Sequence, residues 1–408
     1  MNTSEFKNPF RPGAGHMPPY LAGRRQEREE FLRLLDQETI LENMVLTGLR
    51  GVGKTVLLDT FKPLAQERGW RWIGTDMSES ACLSEENIAT RLITDLAVVT
   101  SEVVIEREAI HGMGFVPNVQ EVTRTLDYHT LRTIFDATPG LVLDKLKKVL
   151  EIVWHALSQE GSRRLIFAYD EAQNLSDHAE KNEYPLSLLL DVFQSLQRKG
   201  ISFMLVLTGL PTLFPKLVEA RTYAERMFRV VFLKRLAQEE SRDAILIPIK
   251  NANCSIRFNA QSVDTVVQAS GGYPYFIQFM CREIYDVWIQ RMREEKGLSV
   301  PMVEILRKLD SDFFAGRWAR ATDRQRELLK VIAHLPNCEE EFTLQEIVEQ
   351  SHNMSIKSFG SSHVNQMLGS LSNEGLIYKN RHGKYSFAVP LLGEFIKRQY
   401  DNDQPQLF

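Results

Sequence analysis

Residues 48 to 55 read Gly-Leu-Arg-Gly-Val-Gly-Lys-Thr, the G-x-x-x-x-G-K-[ST] spacing with which a backbone wraps a phosphate group. Gly48, Gly51 and Gly53 can take conformations closed to other residues and bring main-chain amides close to an anion. Successive N–H groups then face the positive end of the next helix, where a di- or triphosphate is favoured. Lys54 has the reach for β- and γ-phosphates, and the Thr55 hydroxyl suits Mg²⁺. Val52 and Val56 complete the residues expected against the nucleotide, taken here as ATP with Mg²⁺.

A second chemical centre follows about 115 residues downstream, where Leu165-Ile166-Phe167-Ala168-Tyr169 runs into Asp170-Glu171. Carboxylates at the carboxyl end of a buried strand occupy the usual ligand edge of an open α/β sheet. Asp170 is expected to hold Mg²⁺ through water, and Glu171 to orient and polarise the attacking water. Thr208 ends another apolar run and has two readings: a contact to the γ-phosphate or lytic water, or a threonine that ends a strand. Arg221, Arg226 and Arg229 crowd the segment before the last strand. One of them is a candidate finger for a neighbouring subunit's nucleotide; the alternative is a solvated basic face.

These residues need elements to position them. Met44 to Thr47 suits a buried strand before the glycine loop, and Val56 to Phe61 suits a helix after it. Further strands are read at 71–74, 165–169, 203–207 and 230–233, with helices between them. Short apolar strands alternating with helices predict a parallel sheet covered on both faces, an α/β P-loop fold. Residues 78–140 read as an insertion holding a helix through Ile88, Leu92 and Leu96 and a small hairpin around 115–125. An amphipathic helix from Val142 to Leu157 follows, with Thr138-Pro139 read as its start.

The chain of 408 residues divides by pattern into an extended Pro/Gly-rich arm (1–22), an ATPase core (23–236), a helical lid (237–300) and a C-terminal module (315–400). In that module, helices at 322–334, 343–350 and 361–374 precede two strands around Asn380-Arg381-His382-Gly383-Lys384, the pattern of a winged helix-turn-helix. From Ser355 to Arg398 there are six Lys or Arg against two acids, in a chain whose net charge is -4. Lys379, Arg381, His382 and Lys384 could touch the phosphates of duplex DNA. The candidate recognition helix carries Asn365 and Gln366 but no Lys or Arg. Docking of a protein partner is the competing use of the module.

The composition, 43% hydrophobic and 25% charged, is that of a globular protein and excludes one coated in positive charge. No run approaches the ~18 apolar residues of a membrane span. Cys82, Cys254, Cys281 and Cys338 stand far apart and read as buried thiols of a cytoplasmic protein, without a zinc site or disulfide frame.

The Gly23-Arg24 box, the phosphate loop, the Asp170-Glu171 strand, Thr208, the helical lid and the winged helix together resemble AAA+ ATPases of the origin-recognition/initiator type. They are also similar to prokaryotic STAND ATPases. The resemblance implies a sheet of strand order 5-1-4-3-2 and an adenine pocket lined by Tyr20 and Leu21. Initiator-type relatives carry an arginine early in the third lid helix; here Ser270-Gly271-Gly272-Tyr273-Pro274 has none before Arg282. Gly-x-Pro is the STAND hallmark, with Pro274 near the nucleotide, the alternative being a plain glycine-proline helix start. The hallmark favours a slow ATPase acting as a nucleotide-controlled switch, and a nucleotide-dependent homo-oligomer is expected. The alternatives are an oligomeric DNA-remodelling motor of initiator or transposition type, and a nucleotide-stabilised scaffold.

Overall fold

The computed structural model describes residues 7–13, 15–111, 119–161, 163–254, 256–294, 297–354, 356–381 and 383–401. By contact the chain falls into two compact units. One comprises residues 25–47 and 57–232, the other residues 1–24, 48–56 and 233–408.

The first unit is organised by a five-stranded sheet of β1 (Asn43–Gly48), β2 (Arg71–Ile73), β5 (Leu165–Tyr169), β6 (Phe203–Gly209) and β7 (Phe228–Leu233). The order β2-β5-β6-β1-β7 is, in core-strand numbering, the expected 5-1-4-3-2 read from the opposite edge. β2 with β5, β5 with β6 and β6 with β1 pair in parallel, so their carboxyl ends share one edge. Every residue of β1, β5 and β6 is buried, which explains their unbroken apolar character; β7, at the edge, buries Phe228, Val231 and Leu233 and exposes the rest.

Helices α1 (Arg25–Leu35), α2 (Lys54–Glu67), α3 (Glu85–Thr100), α4 (Tyr128–Ala137), α5 (Val142–Gln159), α6 (Pro185–Arg198), α7 (Leu213–Ala220) and α8 (Ala224–Met227) accompany the sheet. The insertion contains α3, then an antiparallel hairpin of β3 (Val104–His111) and β4 (Val119–Thr125), then α4. The hairpin starts earlier than its β-branched residues suggested, and its tip lies outside the described residues. Thr138 ends α4 rather than starting α5: its N–H and hydroxyl both donate to the Ile134 carbonyl. The start of α5 is held instead by Asp144, which accepts the Leu141 N–H at 3.2 Å.

The second unit holds the helical segment α9 (Gln238–Asn251), α10 (Ala260–Ser270) and α11 (Pro274–Arg293). α10 stops at Gly271, whose φ of 58° is left-handed, and α11 opens on Pro274, where a missing N–H costs nothing. α12 (Met302–Leu309), a π-helical turn over Asp310–Phe314 and α13 (Ala315–Trp318) lead on. Then come α14 (Asp323–Ala333), β8 (Phe342–Thr343), α15 (Leu344–His352), α16 (Ser361–Asn373), β9 (Ile377–Arg381), β10 (Lys384–Phe387) and α17 (Leu392–Asp401). The three strands form an antiparallel sheet of order β8-β10-β9, and the element order is that expected of a winged helix. The two-residue β8 gives no periodic signal and was not legible in the sequence. Asn380 and Arg381 extend β9, so the turn is shorter than expected; His382 lies outside the described residues.

Candidate functional site

The phosphate loop leaves β1 at Gly48 and enters α2 at Lys54. Gly48 allows a close approach: a Cβ there would stand 2.7 Å from the Leu233 carbonyl oxygen. Gly51 and Gly53 have φ of 77° and 90°, which other residues resist. The Lys54 ammonium donates to the carbonyls of Gly48 and Leu49, each at 3.1 Å, so it arches over the loop it follows. Val52 is buried beneath, while Thr55 and Val56 at the head of α2 are half-buried.

Three parts of the same unit brace this loop. Arg24 is 7% exposed, and its Nη2 donates to the carbonyls of Val52 and Lys234, both at 2.9 Å. The Tyr275 N–H, one residue into α11, donates to the Gly51 carbonyl at 3.2 Å. Arg50, inside the loop, donates to the Gly375 carbonyl at 3.3 Å, just before β9. A Cβ at Gly375 would meet that guanidinium at 3.2 Å, so the glycine makes room for it. The arm belongs here too: Asn8 bonds the Arg282 carbonyl at 2.9 Å, Phe10 is buried, and Gly15 passes beside Thr55. Tyr20, Leu21 and Pro274 are half-buried members of this unit.

In the other unit, Asp170 and Thr208 stand at the carboxyl ends of β5 and β6. Asp170 is 4% exposed; its Oδ1 accepts the Glu171 N–H at 2.8 Å. Asp76 lies opposite it across an isolated β-bridge. Burial raises the Asp59 carboxyl above its usual range, and the Asp76 charge adds to this while Lys62 opposes it. Glu171 is exposed and held at φ 51°, a strained conformation for a residue with a side chain. The hydroxyls of Thr208 and Thr47 are buried with no partner among the described residues. An orphaned hydroxyl costs roughly 1–3 kcal/mol, so each is a group that an incoming oxygen would satisfy. Among the described residues no cluster of three His, Cys, Asp or Glu side chains is placed to hold a metal. All four cysteines are buried and free.

The three arginines differ. Arg221 makes a bidentate pair with Asp191 at 2.9 and 2.7 Å, and Arg229 pairs with Glu30 at 3.0 Å. Arg226 is exposed and makes no ion pair among the described residues. In the C-terminal module Arg381 is committed to Glu341 at 2.7 Å, and Arg398 is bonded to Asp310. Lys379 and Lys384 carry no ion pair among the described residues, and Asn365 and Gln366 are exposed on α16.

Sequence reasoning missed the buried role of Arg24, the reach of Arg50 and a contact of Gln173 described below. The only available signal for Arg24 was its place beside Gly23 before an amphipathic helix that did not need it.

A parallel sheet with a glycine loop between its first strand and helix defines a P-loop nucleoside-triphosphatase fold. More narrowly, residues 42–217 match the family model described as AAA domain. Residues 311–396 match a domain of unknown function, DUF8462. No curated protein matches the sequence. Among solved structures, the Aeropyrum pernix ORC2 protein in its ADPNP-ADP complexes aligns at 16% identity over 96% of each chain, with TM-score 0.52. Its ADP form aligns at 14% identity over 96% of this chain and 97% of that one, with TM-score 0.51. The fold is therefore that of these ORC2 structures along nearly the whole chain.

Proposed function

We propose that the chain is an ATP-binding switch with slow Mg²⁺-dependent hydrolysis, coupled to a C-terminal winged helix. The observation that carries this reading is the braced phosphate loop, with left-handed glycines, Lys54 arched over it and a buried arginine beneath. The ORC2 structures of similar fold carry ADPNP and ADP, which supports an adenine nucleotide. The arm runs beside Thr55, in keeping with Tyr20 and Leu21 at the adenine and Pro274 nearby.

The hydroxyl of Thr55 and the carboxylate of Asp170 are hard oxygens suited to Mg²⁺, and Asp76, opposite Asp170 across a β-bridge, adds a second carboxylate that favours a cation. When bound, the ion would neutralise phosphate charge. The protein's own groups do the rest. Lys54 and the loop amides hold the β- and γ-phosphates. Glu171 accepts a proton from water as the water oxygen attacks the γ-phosphorus, and the bond to the β–γ bridging oxygen breaks to leave ADP and phosphate. The unpaired hydroxyl of Thr208 would contact the γ-phosphate or the lytic water. Arg226, free where Arg221 and Arg229 are engaged, is the finger for a neighbouring copy.

Arg50 gives loop loading a route to the C-terminal module through Gly375. Lys379 and Lys384 are cations that the module can offer to duplex DNA, with protein docking as the other use. Sizing the Glu171→Gln protein with ATP and Mg²⁺, with and without duplex DNA, tests the reading. An ATP-dependent increase in mass and a DNA complex weakened by salt are expected. A mass indifferent to ATP would remove the switch, and indifference to DNA would leave protein docking.

A further inference from the structure

Glu171 sits on an exposed, strained turn, and nothing in the P-loop pattern says what fixes its carboxylate. The next polar side chain does. The Gln173 amide nitrogen donates to Glu171 Oε2, while its amide oxygen accepts the Leu210 N–H at 3.1 Å. Leu210 follows Gly209 and stands two residues beyond Thr208, so one carboxamide joins the end of β6 to the acid after β5.

The contact is built into the fold. A Cβ at Gly209 would lie 2.7 Å from Gln173 Oε1, so the glycine leaves room for the amide in the position it takes. Lys216 on α7 donates to the Gln173 carbonyl at 2.8 Å and to Ser176 Oγ at 3.1 Å, and burial lowers its ammonium below the usual value. Asn174 bonds the Met77 carbonyl at 2.8 Å, and Ala172 is fully buried. The short 3₁₀ turn over Ala172–Asn174 is thus pinned from three sides, with Gln173 facing the acid.

We infer that Gln173 is a positioning residue for hydrolysis: its carboxamide holds the Glu171 carboxylate in register with the carboxyl end of β6. The inference rests on Glu171 as the base of the reaction proposed above. A base must sit within hydrogen-bond reach of the water it activates, and small displacements cost rate steeply. An amide suits the task because it donates to a carboxylate with one atom and accepts from a backbone N–H with the other.

The test is ATP hydrolysis and ATP affinity of the full chain, measured for wild type, Glu171→Gln, Gln173→Ala and Gln173→Glu. Gln173→Ala is expected to lower kcat by about tenfold to a hundredfold, with ATP affinity and melting temperature unchanged. Gln173→Glu keeps an acceptor for the Leu210 N–H but repels Glu171, and should lose at least as much rate. A kcat loss matched by an equal loss of affinity or stability would mark a structural residue and overturn the inference. So would full activity in Gln173→Ala beside an inactive Glu171→Gln. Wild-type activity in Glu171→Gln would instead take away the base itself, and the role of Gln173 with it.

Discussion

Lys54 and Arg24 both bond carbonyls of the same loop, and their expected defects differ. In the proposed role Lys54 carries charge to the phosphates, and charge-assisted hydrogen bonds contribute about 1.5–3 kcal/mol each. Lys54→Ala should therefore weaken ATP binding by roughly ten- to a hundredfold or more, with little change in melting temperature; titration with a fluorescent ATP analogue reads this directly. Arg24 ties the Val52 and Lys234 carbonyls from a buried position, so Arg24→Ala removes a donor from the buried Val52 carbonyl and the part-buried Lys234 carbonyl. A loss of about 2–4 kcal/mol is expected, visible in urea melts, with ATP affinity falling only as the loop loosens. Lys54 was legible because its task fixes its spacing from three glycines. Arg24's task is set by packing between segments remote in sequence, which no local spacing records.

Elements whose pattern repeats were legible; those defined by a single contact were not. The buried strands β1, β5 and β6 and the helices α5, α6, α9, α10 and α11 follow from apolar period and end signals. α7 and α8 are short, and their placement depends on Arg221. That arginine is joined to Asp191 of α6, which also accepts the Tyr223 hydroxyl at 2.6 Å. Burial pushes the Asp191 carboxyl up, but the bonds from Arg221 and Tyr223 outweigh it and hold the group below its ordinary 3.8. A carboxyl depressed in the folded state contributes stability that is present above 3.8 and lost as pH falls through the lower folded value. The pair is about one-third exposed, so screening limits it to about 0.5–1 kcal/mol. Asp191→Asn should be less stable than wild type by this amount at neutral pH, and the gap should close in denaturant melts below pH 4. A gap unchanged by acid would deny Asp191 its ionised partner role.

At the scale of the whole chain, the phosphate loop belongs with the C-terminal segments by contact, through Tyr275 and Arg50. The sequence announced the loop, the helical segment and the C-terminal module separately, from motif and period. It could not announce that Arg50 reaches Gly375, because 325 residues separate them and any long polar side chain fits the variable loop position. Arg50→Gln should keep ATP binding within about twofold, since the glycines and Lys54 remain. Amide exchange across β9 is expected to respond to ATP in wild type and to stop responding in the variant. A variant that still responds would route the coupling elsewhere. The most direct measurement is single-turnover hydrolysis of γ-labelled ATP bound to the wild-type and Glu171→Gln proteins. Wild type is expected to release phosphate slowly, while Glu171→Gln holds ATP uncleaved with undiminished affinity. A wild-type protein that binds no ATP, or a Glu171→Gln protein that releases phosphate at the wild-type rate, would contradict an ATPase built on this loop and this acid.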